Sequence, residues 1–237
     1  MFLLDAFHWS QLLQPQFYID NGGLWLVLFI IFAETGLFAG FFLPGDSLLF
    51  VAGIFSSQLA AYLVDTGSDF LNLLMIISLA SFAGIIGNTV GFWFGRKIGP
   101  TMFSWRDRLL FKKRYLYQAR DFYEKHGGGA IIFARFLPIV RTFAPIVAGI
   151  VGMDRKKFGF YNIVGSIAWT ASMIAAGHYL QRFFLEEFNY DLKQHLEVIV
   201  LGIVLVTTAP VLIKLFFGKK HPAEPTEQPE NNNQTNK

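Results

Sequence analysis

The sequence predicts an all-α membrane protein arranged as an inverted repeat: two re-entrant helical hairpins, each followed by a transmembrane helix, plus a C-terminal transmembrane helix. The first reason is composition. Of 237 residues, 53% are hydrophobic and 27 are Phe, with a mean hydropathy of +0.42, as in multi-span membrane proteins. The second is the pattern of apolar runs. They recur at 24–43, 47–64, 71–94, 130–151, 158–179 and 198–217, but only 71–94, 158–179 and 198–217 are clean spans. At about 1.5 Å per residue, each of these three crosses a hydrocarbon core of roughly 30 Å. The third is charge. No Lys or Arg precedes Arg96, whereas residues 96–125 hold nine against three acids, and Arg155, Lys156 and Lys157 follow the next apolar run. The positive-inside rule assigns both basic clusters to the cytoplasm, so residues between them must enter the membrane and return.

Each element follows in order. Residues 1–23 mix Leu3, Leu4, Phe7, Trp9, Leu12 and Leu13 with polar residues, which fits a short interfacial helix; there is no basic start or small-residue cleavage site of a signal peptide. Residues 24–64 form a hairpin entering from outside, with its tip at Pro44 and Gly45. The span 71–94 starts outside, near Asp65 and Asp69, and ends inside at Arg96. Its Gly84, Gly87, Gly91 and Gly95 make a small-residue stripe for close helix packing, and Asn88 can hydrogen-bond across helices. Residues 96–125 are basic and aromatic; beside a membrane span this argues for an interfacial segment on anionic lipid, not nucleic-acid binding. Residues 127–153 are the second hairpin, with its tip at Pro138, and 158–179 is the second span. An outside loop, 181–197, is rich in acids, and the span 198–217 leads to Lys219, Lys220 and a polar, disordered cytoplasmic tail, 218–237. Faint echoes relate the halves: Leu43-Pro44 with Leu137-Pro138, and Ala52-Gly53 with Ala148-Gly149.

Four charges interrupt the apolar runs: Glu34, Asp46, Arg135 and Arg141. Near a helix centre each costs roughly 2.5–3.5 kcal/mol, while a Leu, Ile, Phe or Val contributes about 0.3–0.6. Residues 24–43 hold thirteen of those apolar residues, enough to carry Glu34. Residues 130–151 hold twelve against two arginines and two prolines, so that run does not face lipid alone. Buried in protein, the arginines become tolerable beside carboxylates, so Glu34 and Asp46 are expected to meet Arg135 and Arg141. Arg135 and Arg141 would point about 240° apart on an unbroken helix, but a break at Pro138 lets them converge as a phosphate clamp. Asp46 could instead cap a helix starting at Ser47, and the charges could form a permanent ion pair. An intramembrane carboxylate such as Glu34 is by default a functional group, here a carrier of protons.

Other chemistry lacks support. There is no Cys, the five His show no metal-ligand spacing, and no G-x-S-x-G, H-E-x-x-H or lipid-phosphatase set occurs. No enzyme activity, metal or cofactor is expected.

The run E-T-G-L-F-A-G-F-F-L-P-G-D-S-L-L-F-V-A-G from Glu34 to Gly53 resembles the first signature of the DedA family, also called the SNARE-associated or VTT-domain superfamily. G-N-T-V-G-F-W-F-G-R from Gly87 to Arg96 resembles the second, and His126 to Met153, containing A-R-F-L-P-I-V-R-T-F-A-P, the third; Gly165 to Trp169 matches a following pattern. The resemblance covers residues 24–180. It implies a lipid transporter of the bacterial inner membrane, returning undecaprenyl phosphate or phospholipids across the bilayer and dependent on the proton motive force. It also implies that Glu34 and Asp46 are the essential acids and Arg135 and Arg141 the essential arginines. Membrane lipids and protons are then the partners; the particular lipid and the oligomeric state, a homo-oligomer included, stay open. The competing functions are a proton-coupled exchanger of small cations, with the arginines as counter-ions, and a non-transporting membrane scaffold.

Overall fold

The computed structural model describes residues 15–37, 45–64, 66–104 and 127–196, together with 121, 123, 125, 198, 199 and 201–203. Expectations for residues 1–14, for Pro44, for most of 96–125, for most of the span 198–217 and for the tail lie outside the described residues. Among the described residues the regular structure is entirely helical: α1 (Pro15–Gly36), α2 (Gly45–Ile54), α3 (Ser56–Ala61), α4 (Asp69–Ser104), α5 (Gly129–Ala134), α6 (Pro138–Ile150) and α7 (Arg155–Phe188), then a 3-10 turn, Leu192–His195.

Among the described residues two helices, α4 and α7, are long and apolar enough to cross a membrane. With 36 and 34 residues they run about 54 and 51 Å, well beyond the roughly 30 Å of hydrocarbon and beyond the predicted spans 71–94 and 158–179. The reason is that hydropathy ends where hydrocarbon ends, whereas a helix ends where its backbone is capped. Helix α7 starts at Asp154, whose carboxylate accepts from the N–H groups of Lys156 (3.0 Å) and Lys157 (2.9 Å), and stops at Asn189 in the left-handed conformation (φ 51°). Helix α1 is kinked at Gly23 (φ 53°), where a Cβ would strike the Tyr62 ring, so its apolar part begins at the boundary between polar and hydrophobic sequence. The apolar helices 23–36, 45–54 and 140–150 are each too short to cross.

The packing is exchanged between halves. Helix α1 lies on α4 and α5 lies on α7, but α2 packs on α7 and α6 packs on α4; α4 and α7 pack together. Two glycine contacts of the same design make the crossed pairs possible. A Cβ on Gly53 would collide with the carbonyl of Ile174, and one on Gly177 with that of Phe50; a Cβ on Gly149 would collide with the carbonyl of Phe92, and one on Gly95 with that of Ile146. In each pair a glycine of one helix sits on the carbonyl three residues before the glycine of the other, the close backbone approach that small residues permit in membranes. The main core joins Leu24, Val27 and Ile31 to Leu48, Leu49, Ile76, Trp169 and Ile174, while Phe70, Phe82, Trp93, Phe160 and Phe183 are turned outward, as lipid-facing side chains are.

Candidate functional site

The breaks in the short helices bring their ends into the interior. Helix α1 delivers Glu34 near its C-terminus and α2 delivers Asp46 in its first turn. Arg135 is the C-cap of α5. Leu137 is extended ahead of Pro138, which opens α6 and places Arg141 in its first turn. All four charged side chains are buried, Arg135 at 2% exposure and Arg141 at 6%.

The charges are shared unequally. The Arg141 guanidinium donates from Nη1 to Asp46 Oδ1 and from Nη2 to Glu34 Oε1, so one arginine holds both acids. Arg135 meets neither. Its Nη2 donates to Asn162 Oδ1 at 2.7 Å, and the Asn88 amide, oriented to donate to the Thr35 carbonyl at 3.1 Å, presents its oxygen to the same Nη2. The expectation that the acids pair with both arginines is therefore corrected. The physical reason is reach: Arg141 lies on the element facing both breaks, whereas Arg135 projects from α5 toward α4 and α7, where amides line the wall. Asp46 does not behave as a cap for a helix at Ser47, because α2 begins at Gly45 and Oδ1 accepts from Arg141 and from Trp169 Nε1 (2.9 Å).

Trp169 joins the two arginines. Fully buried, its ring lies 4.8 Å from the Arg141 guanidinium carbon and 5.8 Å from that of Arg135, within cation–π range. Below it on α7, Thr170 Oγ1 and Ser81 Oγ of α4 share a hydrogen bond, and Asn162 Nδ2 donates to the Ile85 carbonyl (3.1 Å) and to Thr89 Oγ1 (3.3 Å). Asn162 and Trp169 escaped sequence reasoning as site residues, Trp169 entering only as a motif end. The available signal was a polar stripe at helical spacing, Asn162, Ser166 and Thr170, on an otherwise apolar span.

The glycines define the walls. A Cβ on Gly45 would overlap the Glu34 carboxylate, so the lack of a side chain there lets the acid pass. Gly87 lies against the Phe32 carbonyl and Thr35, and Gly91 against Ile146 and Gly36, which draws α4 onto α1 and α6. Gly84 instead faces Arg135 Nη1 and Ser166 Oγ at ordinary contact distance. Buried polar atoms are normally satisfied, yet among the described residues Glu34 Oε2, Arg141 Nε and Ser166 Oγ have no hydrogen-bond partner, and all three border this site. Chemically, the arrangement is one doubly occupied guanidinium, one guanidinium held among the described residues by neutral amides and the Trp169 ring, and spare donors and acceptors between them.

The VTT domain family model matches residues 43–179. The chain is similar to Protein DedA of Escherichia coli (strain K12), 39% identical over 201 residues that cover 84% of this chain and 85% of the relative. It is also similar to Uncharacterized membrane protein ML0287 of Mycobacterium leprae (strain TN), 34% identical over 212 residues, 87% of this chain and 88% of the relative. Inner membrane protein YqjA of Escherichia coli (strain K12) is 30% identical over 204 residues, 84% of this chain and 88% of the relative. None of these three names states an enzymatic activity. No solved structure matches.

Proposed function

Since the chain belongs to the VTT-domain, or DedA, family of membrane proteins, we propose that it carries a lipid phosphate, undecaprenyl phosphate or a phospholipid, across a bacterial cytoplasmic membrane at the expense of the proton motive force. The observation that carries this proposal is the asymmetry of the arginines: Arg135 is a buried guanidinium with no carboxylate partner among the described residues, 5.8 Å from the ring that Arg141 also touches. An unpaired cation inside a membrane is costly, and a phosphate is the ligand whose geometry a guanidinium matches in two hydrogen bonds.

The proposed cycle uses the shared acids as a switch. With Glu34 and Asp46 ionised, both occupy Arg141 and only Arg135 is available to the headgroup. A proton on Glu34 removes one of those partners, Arg141 turns toward the phosphate beside Arg135, and loss of the proton recaptures Arg141 and releases the lipid. The short, broken helices act as re-entrant hairpins, and the crossed α2–α7 and α4–α6 contacts are the two halves of an inverted repeat that exchange access from one face to the other. In this scheme both basic clusters and the C-terminus lie in the cytoplasm.

A cation exchanger is less well supported, because both carboxylates are engaged by Arg141. The decisive experiment is headgroup-resolved translocation in proteoliposomes, with and without a pH gradient, alongside cation flux. Lipid phosphate movement accelerated by the gradient and abolished by Arg135→Gln is expected. Wild-type transport by Arg135→Gln, or cation flux without lipid movement, would overturn the proposal.

A further inference from the structure

Away from the buried charges, a groove of about 680 Å³ opens on the outer surface of α4 near the start of α7. Ile86, Val90, Trp93 and Lys97 recur at helical spacing along it, so the groove follows the α4 axis for about 16 Å. That is roughly half of a 30 Å hydrocarbon core, the depth of one leaflet. Its deep end is apolar. At its mouth stand Lys97 and Arg155, both exposed, and the Arg155 guanidinium lies 4.6 Å from the exposed Trp93 ring. Among the described residues no carboxylate lines the groove. Arg96, the third cation there, donates to the Met153 carbonyl at 3.2 Å and so fixes the rim.

We infer that this groove is a binding site for one anionic phospholipid of the leaflet bordering the basic ends of α4 and α7, separate from the Arg135–Arg141 site. One acyl chain lies along Ile86 and Val90, the phosphate meets Lys97 and Arg155, and Trp93 sits at the depth of the headgroup, where amphipathic aromatic rings collect. Charge complementarity and the one-leaflet length select this occupant: the two cations at the mouth call for a headgroup of net negative charge, which a zwitterionic lipid lacks, and the apolar groove behind them has the length of an acyl chain in one leaflet.

The groove also touches the buried site. Thr89 on its wall accepts from Asn162 Nδ2, and Asn162 holds Arg135 through its oxygen. The bound lipid therefore rests two hydrogen bonds from the proposed substrate arginine, without needing that proposal to be correct.

The test is native mass spectrometry of the detergent-purified full chain with phosphatidylglycerol and, separately, phosphatidylcholine. One phosphatidylglycerol is expected to be retained in preference to phosphatidylcholine. A cation near an anionic headgroup is worth roughly a five-fold change in affinity, so Lys97→Gln/Arg155→Gln should weaken retention about 20- to 30-fold. Trp93→Ala should weaken it while leaving headgroup preference intact, and in Arg135→Gln the lipid whose retention depends on Lys97 and Arg155 should still be held. Folding of each variant is checked by its thermal transition. Equal retention of both lipids, or undiminished phosphatidylglycerol binding in the folded Lys97→Gln/Arg155→Gln protein, would overturn the inference. So would loss of the bound lipid only in Arg135→Gln, which would place it in the buried site. Displacement by free glycerol phosphate alone would overturn the acyl-chain part.

Discussion

Arg135→Gln should change stability little, whereas Arg141→Gln should damage it severely. The buried Arg135 charge costs roughly 2.5–3.5 kcal/mol. Against this stand charge-assisted hydrogen bonds to Asn162, at 2.7 Å, and to the Asn88 oxygen, about 1.5–3 kcal/mol each, and a cation–π contact near the limit of range, about 0.5–1 kcal/mol. Gln retains neutral hydrogen bonds to the two amides of about 1 kcal/mol each. At mid-range these terms cancel to within about 1 kcal/mol, a shift in Tm of no more than ~4 °C for a chain of this size. Arg141→Gln leaves Glu34 and Asp46 buried side by side with no cation, at a cost of about 3–5 kcal/mol and ~6–20 °C. The assay is thermal unfolding of purified protein followed by intrinsic tryptophan fluorescence, with membrane accumulation measured in parallel. A drop in Arg135→Gln equal to that in Arg141→Gln would refute the reasoning, since Arg135 would then be a structural ion.

Glu34→Gln should keep phosphate binding, because Arg141 is freed from one partner, but should make lipid translocation insensitive to a pH gradient in proteoliposomes. Trp169→Phe keeps the aromatic face and loses the hydrogen bond to Asp46, so unfolding should report a loss of about 1.5–3 kcal/mol. Gly177→Ala and Gly95→Ala should each lower stability by about 1–3 kcal/mol, whereas Gly159→Ala, with open space around it, should not, as measured by the same thermal transition. The Asp154 carboxyl is held below its ordinary value of 3.8 chiefly by the Lys157 N–H and also by that of Lys156. Its contribution is thus fully present above that value and is lost as pH falls through the lower folded value. Hydrogen exchange at the first turn of α7, corrected for intrinsic rates, should show protection falling in that acid window and already absent in Asp154→Ala.

Sequence alone located the charged centre because a carboxylate or guanidinium in an apolar run is conspicuous. Glu34, Asp46, Arg135 and Arg141 are all buried together, and the middle of both long helices was visible from hydropathy. Partnership was not visible. Counting two acids and two arginines suggests two pairs, and only the projection of α5 and α6 decides that one arginine takes both. Trp169 and Asn162 were hidden for a different reason: a tryptophan or a lone amide in a membrane helix is common, and its role depends on neighbours far away in the chain. The ends of α7 were missed because they depend on capping rather than on apolar length.

The exchanged packing bears on how the chain is made. When residues up to Ser104 have entered the membrane, α2 still lacks its principal neighbour, because that neighbour is α7, and the face of α4 that receives α6 is still bare. The N-terminal half must wait for the C-terminal half, and neither can mature as an independent unit. Separately produced fragments divided within 105–120 would accordingly be unstable alone yet complement each other when present together, and a nascent chain stalled before α7 would be a natural client for membrane chaperones and proteases.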